Sequence, residues 1–237
     1  MQYKKRVLNL LLAALFLVCG VIFVNALREI VPQMEEYRAA EREYQEIRAI
    51  ARAPRGTYTA AEAPAQPQPP PQEEESVEPD IDWEALRAIN PDIVGWIVLD
   101  GTPIDYPIVR GRDNDMYLHQ TFTGERNVSG AIFMDYRNAP DFSDPFTLIH
   151  GHNMQNGSMF AGLHDFMGTS FRIYTPSGVL EFEVFTKRIV AADDELYSFP
   201  PQGEGGRRAV TLSTCVSRRG DLRLIVQGVR RQEDSGL

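Results

Sequence analysis

Val7 to Leu27 is a run of 21 residues whose only side-chain amides are Asn9 and Asn25. At a helical rise of about 1.5 Å per residue it is long enough to cross a bilayer. Lys4-Lys5-Arg6 precede it, and positive charge on that side assigns the N-terminus to the cytoplasm. The segment therefore divides the chain into a cytoplasmic tip with a membrane anchor (residues 1–28) and a remainder that must fold outside the cell as a single-pass protein. A cleavable signal peptide is the rival reading, with Val24-Asn25-Ala26 as a small-residue cleavage site. The run is, however, longer than the roughly 7–15 apolar residues usual for such a signal. Either way the folded part is exported. Cys19 reads as one more apolar residue of the segment, since Leu17-Val18 before it lacks the small residue of a lipoprotein site.

Residues 29–80 carry two compositions. From Met34 to Ala53 the chain has no Gly or Pro, and Tyr37, Ala40, Tyr44 and Ile47 recur at helical steps, which predicts a helical stalk. Pro54 to Pro79 contains a Pro/Gln-rich stretch from Pro64 to Pro71 and then Glu73-Glu74-Glu75. Such a composition cannot bury a core and reads as an extended spacer that holds the domain away from the membrane. Aromatic residues and strand-like runs concentrate in residues 81–231, roughly 150 residues, enough for one globular domain. Residues 232–237 form a C-terminal tail.

Within that domain Asp82 is placed to cap a short helix from Trp83 to Ile89, stopped at Asn90-Pro91. Short strands are predicted at Val94–Leu99, Ile104–Val109, Ala131–Asp135, Phe146–His150, Leu180–Arg188, Ala209–Thr214 and Leu222–Val229. Turn residues separate them, so an antiparallel barrel or sandwich is indicated, mostly β. A further helix is predicted over Ser158–Met167, with Met159, Phe160, Leu163 and Phe166 as its apolar stripe and Gly168 as its stop. His164 falls off that stripe and is expected in solvent.

The formal net charge is −9, from 33 acidic and 24 basic residues, so there is no electrostatic footprint for nucleic acid. No glycine-rich phosphate loop follows a strand and opens a helix. The distinctive feature is Cys215, which ends the β-prone run Ala209-Val-Thr-Leu-Ser-Thr-Cys215 and is the only cysteine outside the apolar segment. A lone thiol in an exported domain is exposed to oxidation with no partner, which favours chemistry over packing. The plain alternative is a small buried hydrophobe with an inert thiol.

A nucleophilic thiol needs an imidazole to lower its pKa and to protonate a leaving amine. Of His119, His150, His152 and His164, the pair His150 and His152 bracket Gly151 at a strand end, where both would share a face while the strand persists. With Cys215 the same pair would supply three zinc-type ligands, although no CxxC or HExxH accompanies them. Arg223 opens the last strand. A hairpin register pairing 215 with 223 puts both side chains on one face, with Cβ atoms about 5 Å apart, where a guanidinium would stabilise a developing oxyanion.

Thr211-Leu-Ser-Thr-Cys215, Arg223 in Arg-Leu-Ile-Val, and Gly151-His-Asn-Met154 together resemble the active-site signature of sortases, the Gram-positive cysteine transpeptidases, with class B the nearest pattern. Asn90-Pro-Asp-Ile-Val-Gly-Trp96, Ile104-Asp-Tyr-Pro-Ile-Val109, Asp113-Asn-Asp-Met-Tyr-Leu118 and Ile132-Phe-Met-Asp-Tyr-Arg-Asn138 extend the resemblance over most of Ile81 to Arg230. It implies a closed eight-stranded sortase barrel with a few short helices and no cofactor or metal. Cys215 would be the nucleophile, His152 the general acid, and Arg223 the stabiliser of the oxyanion or of substrate backbone. Asn114, Leu118, Ser213 and Thr214 fall where class B sortases contact the sorting peptide. Two departures stand out: His150 replaces the tyrosine usual before Gly-His, and only Ala191 to Arg208 precedes the cysteine strand, where the class usually carries a long helix-containing insertion.

The resemblance implies an enzyme of the cell membrane with its catalytic domain outside. It would cleave a C-terminal sorting signal in secreted proteins, hold the acyl part as a thioester, and pass it to an amine of peptidoglycan or of a pilin. Resolution of the thioester by water is the enzymatic alternative. An anchored surface domain without catalysis is the other.

Overall fold

A computed structural model describes residues 2–53, 80–194, 207–217 and 220–231. Helix α1 (Gln2–Ala51) and the short α2 (Trp83–Ile89) precede eight strands. These are β1 (Ile93–Val98), β2 (Asp105–Val109), β3 (Ile132–Met134), β4 (Phe146–His150), β5 (Ser170–Thr175), β6 (Gly178–Ala191), β7 (Ala209–Cys215) and β8 (Leu222–Arg230). They close into a barrel in the order β1-β2-β3-β4-β7-β8-β6-β5. Side chains with essentially no exposure pack along its wall, among them Trp96, Ile97, Ile108, Ile132, Ile149, Leu212 and Val226.

Turn signals alone pointed to antiparallel pairing throughout, but β2 with β3 and β4 with β7 are parallel. Parallel neighbours need a crossover connection. Residues 110–131 supply the first, and the chain between β4 and β7, which includes the β5–β6 hairpin, supplies the second.

β5 was not anticipated. Its alternating Phe171 and Ile173 are buried, and Ile173 pairs with both Ile97 and Leu180. The alternation was present in the sequence, and the Pro176-Ser177-Gly178 turn that follows marks a hairpin. The predicted helix over Ser158–Met167 is instead a single 3₁₀ turn, Phe160–Leu163. Met159 enters it with φ 56°, ψ −131°, a conformation incompatible with helix, because the chain doubles back to pair Asn153 with Met159. The apolar stripe is nonetheless buried at Met159, Phe160, Leu163 and Phe166. His164 is half-buried rather than in solvent, and its Nε2 accepts from the Asn153 amide at 3.0 Å.

α2 forms as its cap predicts: Asp82 Oδ1 accepts from Ala85 N at 3.0 Å, and Leu86 is fully buried. α1 departs most from expectation. Its apolar N-terminal part includes a stretch long and apolar enough to cross a membrane, exposed on all sides. The same helix runs on without a break, and the segment that reads as a helical stalk is docked on the barrel. Ala40, Tyr44, Ile47 and Ala51 are buried, each larger side chain contributing roughly 1.5–3 kcal/mol. The Tyr44 ring meets Tyr106 edge-on at 5.2 Å, and the Arg48 guanidinium lies over the other part of Tyr106 at 5.1 Å. Arg48 Nε also donates to the Asp105 carbonyl at 3.0 Å. The spaced stripe of small and aromatic residues was a docking face, because a helix with such a face gains more by burying it than by standing in water.

Pro54 to Pro79, read as a spacer, and the tail 232–237 lie outside the described residues. On either side of the Pro/Gln/Glu-rich segment the described chain meets, since Asp82 N donates to the Ala51 carbonyl at 3.0 Å.

Candidate active site

β7 is buried from Ala209 through Thr214 and surfaces at Cys215, which is half-buried and free. β7 and β8 form a hairpin in which Cys215 stands directly opposite Arg223. The pair is the last rung of the ladder, closed by Val216 N donating to the Leu222 carbonyl at 3.1 Å. Arg223 Nη1 donates to the Gly220 carbonyl at 2.6 Å and more weakly to Leu222 O at 3.4 Å. The turn thus fixes one end of the guanidinium. Arg218 and Arg219 lie outside the described residues.

His152 follows the end of β4 and is tied to the cysteine strand through both of its neighbours. Gly151 N donates to the Ser213 carbonyl at 3.1 Å, and Asn153 Nδ2 donates to the Cys215 carbonyl at 2.9 Å. Gly151 has no room for a side chain, since a Cβ there would lie 2.5 Å from Ile132 Cδ1 and 2.7 Å from the Phe160 ring. The His152 carbonyl accepts from Phe160 N at 2.9 Å. Its Nε2 lies 2.9 Å from the Leu118 carbonyl. A carbonyl can only accept, so Nε2 carries the proton and Nδ1 keeps the lone pair of the neutral ring.

His150 does not share this face, because the strand ends with it. Its ring stacks on Phe133 at 5.0 Å, and Nε2 lies 3.8 Å from Asp135 Oδ2. Among the described residues no group of three His, Cys, Asp or Glu side chains is placed to hold a metal ion. Burial would raise the Asp135 pKa, but hydrogen bonds from the Arg137 side chain, the Arg137 amide and Asn114, with the nearby His150, outweigh it. They hold the carboxyl well below the usual range.

Asn114 and Leu118 both lie in the β2–β3 crossover. The Asn114 amide is engaged at both ends, donating to Asp135 Oδ2 at 2.9 Å and accepting from Tyr136 N at 3.0 Å. Leu118 meets His152 through its backbone rather than its side chain, which packs against the core. Ser213 and Thr214 are each 2% exposed, and their hydroxyls have no hydrogen-bond partner among the described residues.

Two further residues of the site have weak signals in the sequence. Asn153 lies inside the Gly-His-Asn motif, and Asp135 reads only as a strand-end carboxylate, a signal that becomes specific once tertiary contacts are known.

Residues 97–231 match the Sortase domain family. Sortase B of Listeria monocytogenes is 34% identical over 175 residues, covering 60% of this chain and 71% of that protein. Among solved structures, a Streptococcus pyogenes class B sortase involved in pilus biogenesis is 31% identical with a TM-score of 0.57, over 63% of this chain and 98% of that one. Sortase B of Bacillus anthracis is 28% identical with a TM-score of 0.61, over 84% of this chain and 100% of that one. A closed eight-stranded barrel with a free cysteine ending β7, and likeness of this extent to class B enzymes, make the conclusion direct: this chain belongs to the sortase family of cysteine transpeptidases.

Proposed function

We propose that Cys215 is the nucleophile, His152 the proton carrier and Arg223 the oxyanion donor of a transpeptidase held in the membrane by α1. The observation that carries this reading is the last rung of the β7–β8 ladder, Cys215 opposite Arg223, with His152 tied between two bonds to the same strand. His152 Nδ1 takes the proton of the Cys215 thiol, the resulting thiolate attacks the scissile carbonyl, and charge collects on the oxygen beside the guanidinium. Nη1 is committed to the turn, so Nε and Nη2 are the donors that meet the oxygen. Collapse breaks the C–N bond and leaves a thioester. The leaving amine takes its proton from His152 Nδ1, the nitrogen not held by Leu118. An incoming amine then attacks the thioester, gives its proton to His152 and releases the thiolate.

The substrates on this reading are secreted proteins carrying a C-terminal sorting signal, and the acceptor is an amine of peptidoglycan or of a pilin. Residues 81–231 carry the chemistry and face outward from the cell, with residues 1–28 spanning the membrane. Asn114, Leu118, Ser213 and Thr214 line the peptide path. The two buried hydroxyls without partners beside the nucleophile motivate that placement, because such groups cost free energy until something pairs with them.

Intact-mass analysis of the full chain, incubated with a sorting-peptide library with and without candidate amines, tests the scheme. An acyl adduct on Cys215 that is discharged to the amine supports it. Discharge to water alone at the same rate with and without amine points to hydrolysis, and an adduct formed on a Cys215→Ala protein removes the assignment.

A further inference from the structure

One helical turn of α1 touches both supports of the His152 ring. On one side, Tyr44 Oη donates to the Gly130 carbonyl at 2.7 Å, a bond buried in the core. Gly130 has φ +56°, and a Cβ there would fall 2.6 Å from Tyr117 O, 2.9 Å from Leu118 O and 3.1 Å from His152 Cδ2. Gly130 is thus packed against the carbonyl that orients the imidazole and against the imidazole itself, and Ala131 N ties the same strand entry to Tyr117 O at 2.9 Å.

On the other side, the Tyr106 ring is held between Tyr44 and Arg48, and its hydroxyl accepts from Met159 N at 3.2 Å. Met159 is the residue in the strained left-handed region, φ 56°, a geometry that persists only when its surroundings enforce it. It pairs with Asn153, and Phe160 beside it donates to the His152 carbonyl. Both phenols have raised pKa values. Burial is the main cause in each case, so the hydroxyls remain protonated and the two bonds persist across ordinary pH.

We infer that Tyr44 of the membrane-proximal helix, acting through Gly130 and through Tyr106, is a positioning residue that holds the His152 imidazole in its Nε2–H form against Leu118. The inference rests on His152 being the proton carrier. A helix docked for stability alone would bury apolar surface without spending a buried hydroxyl on the carbonyl of the glycine packed against the ring. Displacement of a general acid by even about 1 Å costs up to about 10²-fold in rate, and loss of one prop of two should cost less.

The test uses the full-length protein in detergent micelles, labelled with ¹⁵N-histidine, with Tyr44→Phe, Tyr106→Phe and Arg52→Ala compared. Arg52→Ala breaks the docking ion pair to Asp105 at 2.7 Å without touching Gly130 or Tyr106, so it reports the effect of weakened docking alone. In the wild type, long-range ¹⁵N–¹H spectra should show His152 as the Nε2–H tautomer. In Tyr44→Phe that form should be diluted by the Nδ1–H tautomer, and kcat should fall about five- to tenfold with KM within about twofold. Tyr106→Phe should show the same signature more weakly. A His152 spectrum unchanged in Tyr44→Phe, or a loss of kcat no larger than in Arg52→Ala, overturns the inference. Because the tautomer is read without turnover, a wrong assignment of the proton carrier would show separately, as an active His152→Ala protein.

Discussion

The two sides of the active site are held by different means. Cys215 and Arg223 face each other because β7 and β8 are registered over seven pairs, from Ala209↔Val229 to Cys215↔Arg223. Their spacing is a property of one hairpin, set by backbone bonds. His152 belongs to no strand or helix. Its place is set by Leu118 from one crossover, by Ser213 and Cys215 through its neighbours, by Gly130 against its ring and by Phe160 N at its carbonyl. On the proposed roles, a nucleophile and its oxyanion donor gain from a fixed separation, which a ladder supplies. A proton carrier on that scheme delivers to two partners in turn, and the position of His152 is assembled from many weak contacts, each of which can be loosened singly.

The sharpest break of the hairpin side is Cys215→Ala. It removes one sulfur at a half-buried site with the Cβ retained, so cleavage and transfer should both vanish while the thermal unfolding midpoint stays within a few degrees. Arg223→Lys comes next. It keeps the charge but loses the planar fork, and should cost on the order of 10²–10³ in kcat with one sorting peptide. Arg218→Ala and Arg219→Ala, in the turn, should change the rate little. A dead turn variant beside an active Arg223→Lys would show that the register does not select the working arginine.

On the loop side, His152→Ala should lower kcat by about 10² or more, as expected for loss of a general acid. His150→Ala should cost far less, because His150 is turned toward Phe133 and Asp135. Equal losses from the two would mean that the histidines act together despite facing apart.

The smallest expected effect is on stability. Asp135→Asn keeps the shape but removes a buried carboxylate that accepts from Arg137 and Asn114, at a cost of about 1–3 kcal/mol at pH 7. The sign with pH follows from the direction of the shift. A carboxyl held below its unfolded pKa of about 3.9 contributes fully above that pH, and the contribution is lost as pH falls below it toward the folded value. The stability gap between wild type and variant should therefore be constant from neutral pH down to about pH 5 and narrow in more acidic solution. Denaturant melts along that series would reveal it, and a gap that widens with acid would contradict the assigned cause.

The same division governs how much could be read from the residues alone. The 215–223 register was legible, because a β-prone run ending in Cys, a polar turn and a second run leave few ways to close a hairpin. Strands with clean alternation and flanking turn residues were legible too, β4 to the residue. β5 was overlooked although Phe171 and Ile173 alternate, because it sits directly after an apolar stretch that reads as helix. That stretch misled because Met159, Phe160, Leu163 and Phe166 are all buried at helical spacing, yet the Asn153–Met159 pairing forces a backbone that no helix contains. His152 was found only through its motif. What orients it comes from Leu118 and Tyr44, 34 and 108 positions away in the sequence, and no local pattern encodes such a contact.

The meeting of Ala51 with Asp82 changes how far this enzyme can work from its anchor. A chain segment whose two ends coincide adds nothing to reach, however many prolines it contains. Where the apolar part of α1 crosses the bilayer, the distance to the barrel is set by the helix between Leu27 and Ala40, about 20 Å at helical rise. That arm is rigid to the extent that helix is, so on the membrane-anchored reading Cys215 is held within a thin shell against the membrane rather than within a sphere around a leash. Substrate and acceptor amine must then both arrive within that shell, and lengthening the Pro/Gln/Glu-rich segment would not let the enzyme meet either of them further out.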